Sequence, residues 1–275
     1  MSNELNEVTI TEEYHGPEVC EGRFLWEYAQ EVRNGTGQNL YGKIIEAVRR
    51  AKDVDRKRCV ILDIGCGSEW NVGQTIFPDT RVSVLSTQSS LFDPTEIAEI
   101  AQEKQRLSEL DTILEELDIQ LVLVGLTDAK KGQHDSVLWS ANNQRYSVKK
   151  IAYTLTPEQN IQDFCNKYLE GTDGHVDLAL AIQSLEYFKP EVYNRTVSTV
   201  AEALNQGGEF IAVGIDPDYK IQEAGGLAPT YDLGEIKQRK DFVRQLPEQF
   251  NFTVFSKGKD EYIKNLHSSF VIQRK

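Results

Sequence analysis

Apolar residues recur along this chain in two alternating patterns. Continuous runs (Val60-Ile61-Leu62, Ile119 to Leu126, Val176 to Ile182) have the length and character of strands covered on both faces. Between them, apolar residues return every three or four positions. Leu40, Ile44, Ala47, Val48 and Ala51 mark one helix face. Ile97, Ile100, Leu107, Leu110, Leu114 and Leu117 mark another. The second of these starts at Asp93-Pro-Thr-Glu96, a capping acid followed by proline and a first-turn carboxylate, and should reach Leu117.

In chain order the pattern predicts a helix over Phe24 to Val32, broken by Asn34-Gly-Thr-Gly-Gln38, then a helix over Leu40 to Ala51 and a strand over Arg58 to Asp63. A short helix ended by Pro78 leads to a strand over Arg81 to Ser86. After the long helix come the strand Ile119 to Leu126, a hairpin within Ser136 to Lys150 turning at Asn142-Asn143, and a strand over Ile151 to Leu155. Thr156-Pro-Glu-Gln159 opens a helix that stops at Gly171. The strand Val176 to Ile182, a helix from Pro190 to Asn205 and a strand from Glu209 to Ile215 follow. A helix over Glu235 to Gln245 and strands over Asn251 to Ser256 and Ser268 to Ile272 complete the chain.

This alternation predicts an α/β fold with a doubly wound, mostly parallel, seven-stranded sheet. The last two strands are joined too closely for a crossover helix, so only the last strand should be antiparallel. Residues 127 to 150 read as a β-hairpin insertion. Its Trp139 and Tyr146 are expected to be exposed, as part of a lid or homodimer contact or of an ordinary surface hairpin. Residues 1 to 20 read as a mobile acidic arm. Residues 1–54 thus form an arm with cap helices, and 55–275 the main domain.

Composition narrows the partners. Of 275 residues 40% are hydrophobic, which suits a globular chain, and the formal net charge is -13. Binding to nucleic-acid phosphates rests on Lys and Arg, so nucleic acid is disfavoured as a partner. The polar, acidic first fifteen residues are no secretory signal, and no apolar run approaches the roughly 20 residues that span a bilayer. The four cysteines form no C-x-x-C pair, and Cys59 and Cys66 bracket one strand, roughly 20 Å apart. Reduced thiols, a cytoplasmic location, no metal and no membrane are the expectations.

The densest chemical signal is residues 60 to 67, Val-Ile-Leu-Asp-Ile-Gly-Cys-Gly. A buried strand runs into an acid and two glycines spaced by one residue. Gly65 and Gly67 can take positive φ and let backbone approach a ligand; Asp63 can fix the turn or meet a cationic ligand. The octet resembles motif I of the class I methyltransferases that use S-adenosylmethionine, LD-x-G-x-G-x-G, with Glu69 in place of the third glycine. Two later segments are similar to the same family. Val176 to Phe188 resembles its fourth strand and following loop, and Ala201 to Ala212 its A-x-x-L-x-x-G-G corner. The resemblance spans roughly residues 55 to 275.

The resemblance implies a class I methyltransferase-like sheet, with S-adenosyl-L-methionine as cofactor and methyl transfer to a small-molecule acceptor as the activity. It implies that Asp63, Gly65, Cys66 and Gly67 face the amino-acid part of the cofactor and that Gln183 and Ser184 approach its sulfonium. After strand two the family carries a ribose-binding acid. The strand predicted there ends in Ser86-Thr87-Gln88, so Ser86 and Thr87 are the expected ribose ligands. Glu186 and Tyr187 are the catalytic candidates: Glu186 as a base for an acceptor hydroxyl or amine, or as an ordinary loop acid, and Tyr187 as a wall of the acceptor pocket or a core residue. Tyr14, His15 and Tyr41 are candidates to close over the cofactor, and His134 and His175 are expected to be solvated. The alternatives to a methyltransferase are a catalytically silent binding or regulatory protein of the same fold, and an enzyme that uses the cofactor for another reaction.

Overall fold

The computed structural model describes residues 7–10, 23–67, 71–85, 94–169, 175–185, 188–214, 238, 241–255 and 269–275. Its strands are β1 (Glu7–Ile10), β2 (Arg58–Ile64), β3 (Gln120–Thr127), β4 (Ser136–Asn142), β5 (Tyr146–Ala152), β6 (Val176–Ile182), β7 (Leu204–Val213), β8 (Phe250–Val254) and β9 (Phe270–Arg274). Its helices are α1 (Arg23–Thr36), α2 (Leu40–Asp53), α3 (Asn71–Ile76), α4 (Pro78–Leu85), α5 (Pro94–Leu117), α6 (Ile161–Tyr168) and α7 (Pro190–Ala203).

The strands form one sheet in the order β1-β4-β5-β3-β2-β6-β7-β9-β8. From β5 to β8 it is the expected seven-stranded sheet: β5, β3, β2, β6 and β7 pair in parallel, and β9 runs antiparallel between β7 and β8. Chain order reverses between β2 and β6, because the chain moves outward through β3 and β5 before returning on the other side of β2. Ligands of such sheets sit in the crevice at the carboxyl ends of the strands beside this point.

Helices cover both faces. On one face α1, α2, α3 and α5 bury Leu40, Ile44, Val48, Ile76, Leu107, Leu110 and Leu114 against Ile61, Leu121, Leu123 and Leu178. On the other, α6 and α7 bury Phe164, Val197 and Val200 against Leu62, Val124, Ala179 and Phe210. The strands β2 and β6 are therefore apolar on successive residues rather than alternate ones. The face predicted for α2 is buried throughout, and the Asn39 side chain caps that helix by accepting from the Gly42 N–H at 2.8 Å. On α5 the predicted face packs as expected except at Ile97, which is 42% exposed.

Several expectations need correction. The segment read as a strand over Arg81 to Ser86 is helical to Leu85, within α4. The short α3 ends at Ile76, just before Pro78 as expected, and Pro78 also opens α4, because proline at the first helical position loses no helical hydrogen bond. The buried Arg81 then reaches back to cap α3: Nε donates to the Thr75 carbonyl at 2.9 Å and Nη2 to the Ile76 carbonyl, while Nη1 donates to Asp111 on α5 at 2.6 Å.

The predicted hairpin exists and turns at Asn143, whose Oδ1 accepts from the Arg145 and Tyr146 N–H groups. Its second arm is no surface decoration. It is β5, paired in parallel with β3. Trp139 and Tyr146 are consequently buried, at 7% and 3% exposure, with Tyr146 edge-on to Phe77 and its hydroxyl on Asp111. Within the expected mobile arm, Glu7 to Ile10 pair antiparallel with β4, so the sheet has nine strands among the described residues. The helix α1 runs through Gly35 to Thr36 and stops at Gly37, whose φ is +72°. The helix α6 begins at Ile161, after a capping box formed by Asn160 and Asp163, rather than at Thr156.

At the amino ends of the strands, buried Asp177 of β6 joins three partners. Its Oδ2 accepts from the Val60 N–H of β2 at 2.8 Å, and its Oδ1 from Asn205 Nδ2 at 2.8 Å and from Arg56 Nη1 at 2.5 Å.

Candidate functional site

A cleft of about 700 Å³ opens at the carboxyl ends of β2, β3, β5 and β6, at the reversal of strand order. That volume lies within the roughly 300–1,000 Å³ of small-molecule sites. Its floor comes from the turn after β2 and the loop after β6, through Gly65, Gly67, Gln183 and Ser184. One wall is the end of β3, Leu126, Thr127 and Asp128. Another is the loop after β5, Tyr153 to Pro157, and Phe188, Lys189 and Val192 bring the start of α7 to the rim.

The two glycines of the turn both have positive φ, +71° at Gly65 and +72° at Gly67. Their surroundings differ. A Cβ on Gly65 would overlap the Ser184 side chain, whose hydroxyl donates to the Ile64 carbonyl at 2.6 Å. Among the described residues a Cβ on Gly67 would meet nothing within 4 Å. Gly65 is therefore required by the packing of the two loops, whereas Gly67 borders open space on the cleft side.

Asp63 and Cys66, also expected to face a ligand, lie beneath the cleft and are not part of its lining. Cys66 contributes its backbone: its N–H donates to the Leu126 carbonyl at 2.9 Å and ties the turn to the end of β3. Burial, helped by the Asp63 carboxylate, pushes the Cys66 thiol well above its ordinary range, so it stays protonated. Gln183 takes the left-handed conformation at φ +53°, with its N–H donating to the Val213 carbonyl at 2.8 Å. A non-glycine residue held there stores strain of the kind concentrated at binding sites.

An acid that sequence reading did not single out stands at the end of β3. Since 81 to 85 is helix, the strand beside β2 is β3, and it ends at Thr127-Asp128. Asp128 is exposed in the cleft wall. Its Oδ1 accepts from the Thr154 hydroxyl at 2.7 Å, and its Oδ2 has no bond among the described residues. The same Thr154 oxygen accepts from the Ala129 N–H at 3.2 Å. The usable signal was the apolar run Ile119 to Leu126 followed at once by Thr-Asp, which the supposed strand at 81 to 86 displaced from second place.

Ser86, Thr87, Glu186 and Tyr187 lie outside the described residues, as do Glu69, Tyr14 and His15. Tyr41 does not reach the cleft. It is fully buried in α2, where burial and the Glu103 carboxylate push its phenol upward. Among the described residues no cluster of His, Cys, Asp or Glu could hold a metal ion, and no helix is long and apolar enough to cross a membrane.

No known protein family's sequence pattern matches the chain, and no curated protein matches it. Among solved structures, the O-methyltransferase TomG from Streptomyces achromogenes in complex with SAM is 10% identical. That overlay covers 92% of this chain and 89% of TomG at a TM-score of 0.37. The plantazolicin methyltransferase BpumL in complex with SAH is 10% identical, covering 93% of this chain and 95% of BpumL at a TM-score of 0.38. An O-methyltransferase from Bacillus cereus in complex with SAH is 10% identical, covering 91% and 90% at 0.36. Overlaps of this size do not define a fold; strand order and direction do. A doubly wound sheet that is parallel from β5 through β7, closed by antiparallel β9 at one end and extended by antiparallel β4 at the other, with an acid-glycine turn at its reversal point, is present here. This is a class I methyltransferase-like fold.

Proposed function

We propose that the protein binds S-adenosylmethionine in this cleft and transfers its methyl group to a small-molecule acceptor. The observation that carries the reading is Asp128. A carboxylate that lines the cleft at the end of the strand beside β2, with one oxygen held by Thr154, supports a role in accepting hydrogen bonds from ribose hydroxyls. An acid in this place supports a working cofactor site over a silent protein of the same fold.

The residues present fit the cofactor. Gly67 leaves room where a side chain would intrude, and Gln183 and Ser184 form the adjoining floor. The apolar stretch Leu126, Leu155, Pro157 and Val192 offers a surface for a flat aromatic base. When bound, the cofactor supplies a methyl group activated by positive sulfur. The chain then has to hold acceptor and methyl in line and exclude water, and transfer needs no triad or metal. Glu186 remains the proposed base for the acceptor proton, and Tyr187 a proposed wall of the acceptor site.

Calorimetric titration with S-adenosylmethionine and S-adenosylhomocysteine tests the reading. Both should bind the parent protein. Asp128→Asn should weaken each about tenfold, because replacing a charged acceptor by a neutral one costs about 1.4 kcal/mol. A folded parent that binds neither at millimolar ligand would sink the proposal.

A further inference from the structure

The loop between β3 and β4 carries a histidine that packs behind the cleft rather than into it. His134 Nδ1 lies 3.3 Å from the Thr154 backbone nitrogen and accepts its N–H. The Thr154 hydroxyl in turn donates to Asp128. The imidazole also stacks on Tyr153 at 4.8 Å between centroids, and its Nε2 lies 3.2 Å from the Gln159 side-chain amide. Gln159 and Thr156 exchange two further bonds, Thr156 N–H to the Gln159 carbonyl and Gln159 N–H to the Thr156 hydroxyl, both at 3.1 Å. One ring thus touches Tyr153 and Thr154 at the start of the wall after β5 and Gln159 just beyond it.

The ring is itself aimed by its neighbour. Asp135 sits at φ +66°, and its carboxylate accepts from the Tyr168 hydroxyl at 2.9 Å and from Lys167 at 2.8 Å, both in α6. Its N–H donates to the Ala152 carbonyl at 2.8 Å. A non-glycine residue in the left-handed region persists only where surrounding bonds over-determine it. Those bonds turn the loop so that His134 lies against Tyr153 and Thr154.

We infer that His134 is a positioning residue for the cleft. By accepting the Thr154 N–H it fixes the Thr154 backbone, and through the Thr154 hydroxyl it holds the Asp128 carboxylate where a ribose must meet it. The ligand part of this inference rests on the proposed cofactor reading; the backbone part does not.

Three variants separate the acceptor atom from the ring. His134→Phe keeps a ring against Tyr153 but has no acceptor. His134→Asn loses the ring but can offer its Oδ1 near the position of Nδ1. His134→Ala has neither. The binding of S-adenosylhomocysteine should weaken about fivefold in the Phe and Ala variants, the effect of one neutral hydrogen bond. It should return to within about twofold of the parent in the Asn variant. Amide hydrogen exchange at Thr154 should accelerate in the Phe and Ala variants and not in Asn, and this readout needs no ligand. Parent-like exchange in His134→Phe would overturn the inference, and so would Asn exchanging as fast as Phe. If the exchange pattern holds but the parent binds no S-adenosylhomocysteine, the cofactor reading fails and the backbone assignment stands. If the parent binds and the variants bind equally well, the ribose assignment of this relay fails and the cofactor reading stands.

Discussion

The two ends of the sheet use their acids in opposite ways. At the amino end, Asp177 is buried and both of its oxygens are engaged, by Val60, Asn205 and Arg56. At the carboxyl end, Asp128 is exposed, with one oxygen held by Thr154 and the other without a bond among the described residues. Positive φ occurs at both ends of the sheet, at Asp55 and Asp118 just before β2 and β3 as well as at Gly65, Gly67 and Gln183 beside the cleft, so the division lies in the acids and not in the backbone. A satisfied buried acid ties strands together; an incompletely satisfied acid in a cleft is ready for a ligand. The difference separates groups that maintain the fold from groups that serve a site.

The comparison breaks most visibly at Asp177. Replacing it by Ala leaves a buried backbone N–H and a partly buried guanidinium without their acceptor, and should cost about 3 kcal/mol of stability. Urea unfolding would register this as a lower midpoint. The protein that remains folded should bind S-adenosylhomocysteine like the parent, and a loss of affinity as large as that of Asp128→Asn would erase the proposed division of labour.

A second test compares the glycines. Gly65→Ala adds an overlap with Ser184 to the strain of positive φ, and should cost about 2 to 3 kcal/mol. Gly67→Ala meets only the strain, about 1 kcal/mol. Gly67→Asn should be milder still in stability, since Asn tolerates this conformation, yet should obstruct the ligand. Equal losses of stability for Ala at both positions, measured by thermal unfolding, would mean that the two glycines do the same work.

The smallest expected effect is at Gln183. Glycine there relieves the left-handed strain but adds freedom to the unfolded chain, so the net change should stay within about 0.5 kcal/mol. Affinity for the cofactor should nevertheless fall if the amide faces the ligand. Unaltered affinity in Gln183→Gly would assign the residue to the backbone turn alone.

Most of the sheet was readable from the chain. The runs at β2, β3 and β6 and the helical spacing of α2 and α5 are burial patterns, and burial on one face or two leaves a direct periodicity in sequence. The misreadings have separate causes. Val82 to Leu85 has strand-like composition but is helical, because Pro78 starts a helix and Arg81 caps the one before it. That single error drew attention away from Asp128 at the end of β3. Tyr146 looked like a surface residue because its alternation matched a hairpin, while its strand pairs with β3 in the middle of the sheet.

By itself the sequence determined the class of the fold, the glycine turn at Gly65 and Gly67, and the end of the sheet where a ligand would sit. These depend on local conformation and on periodic burial, which neighbouring residues encode. Tertiary structure alone decided that β3 lies beside β2, that Asp128 therefore occupies the cleft wall, that Gly65 packs on Ser184 while Gly67 faces open space, and that His134 reaches Thr154. Each of these joins residues distant in the chain. Contacts of that kind follow from the order in which strands pair, and no local pattern of hydrophobic and polar positions records that order.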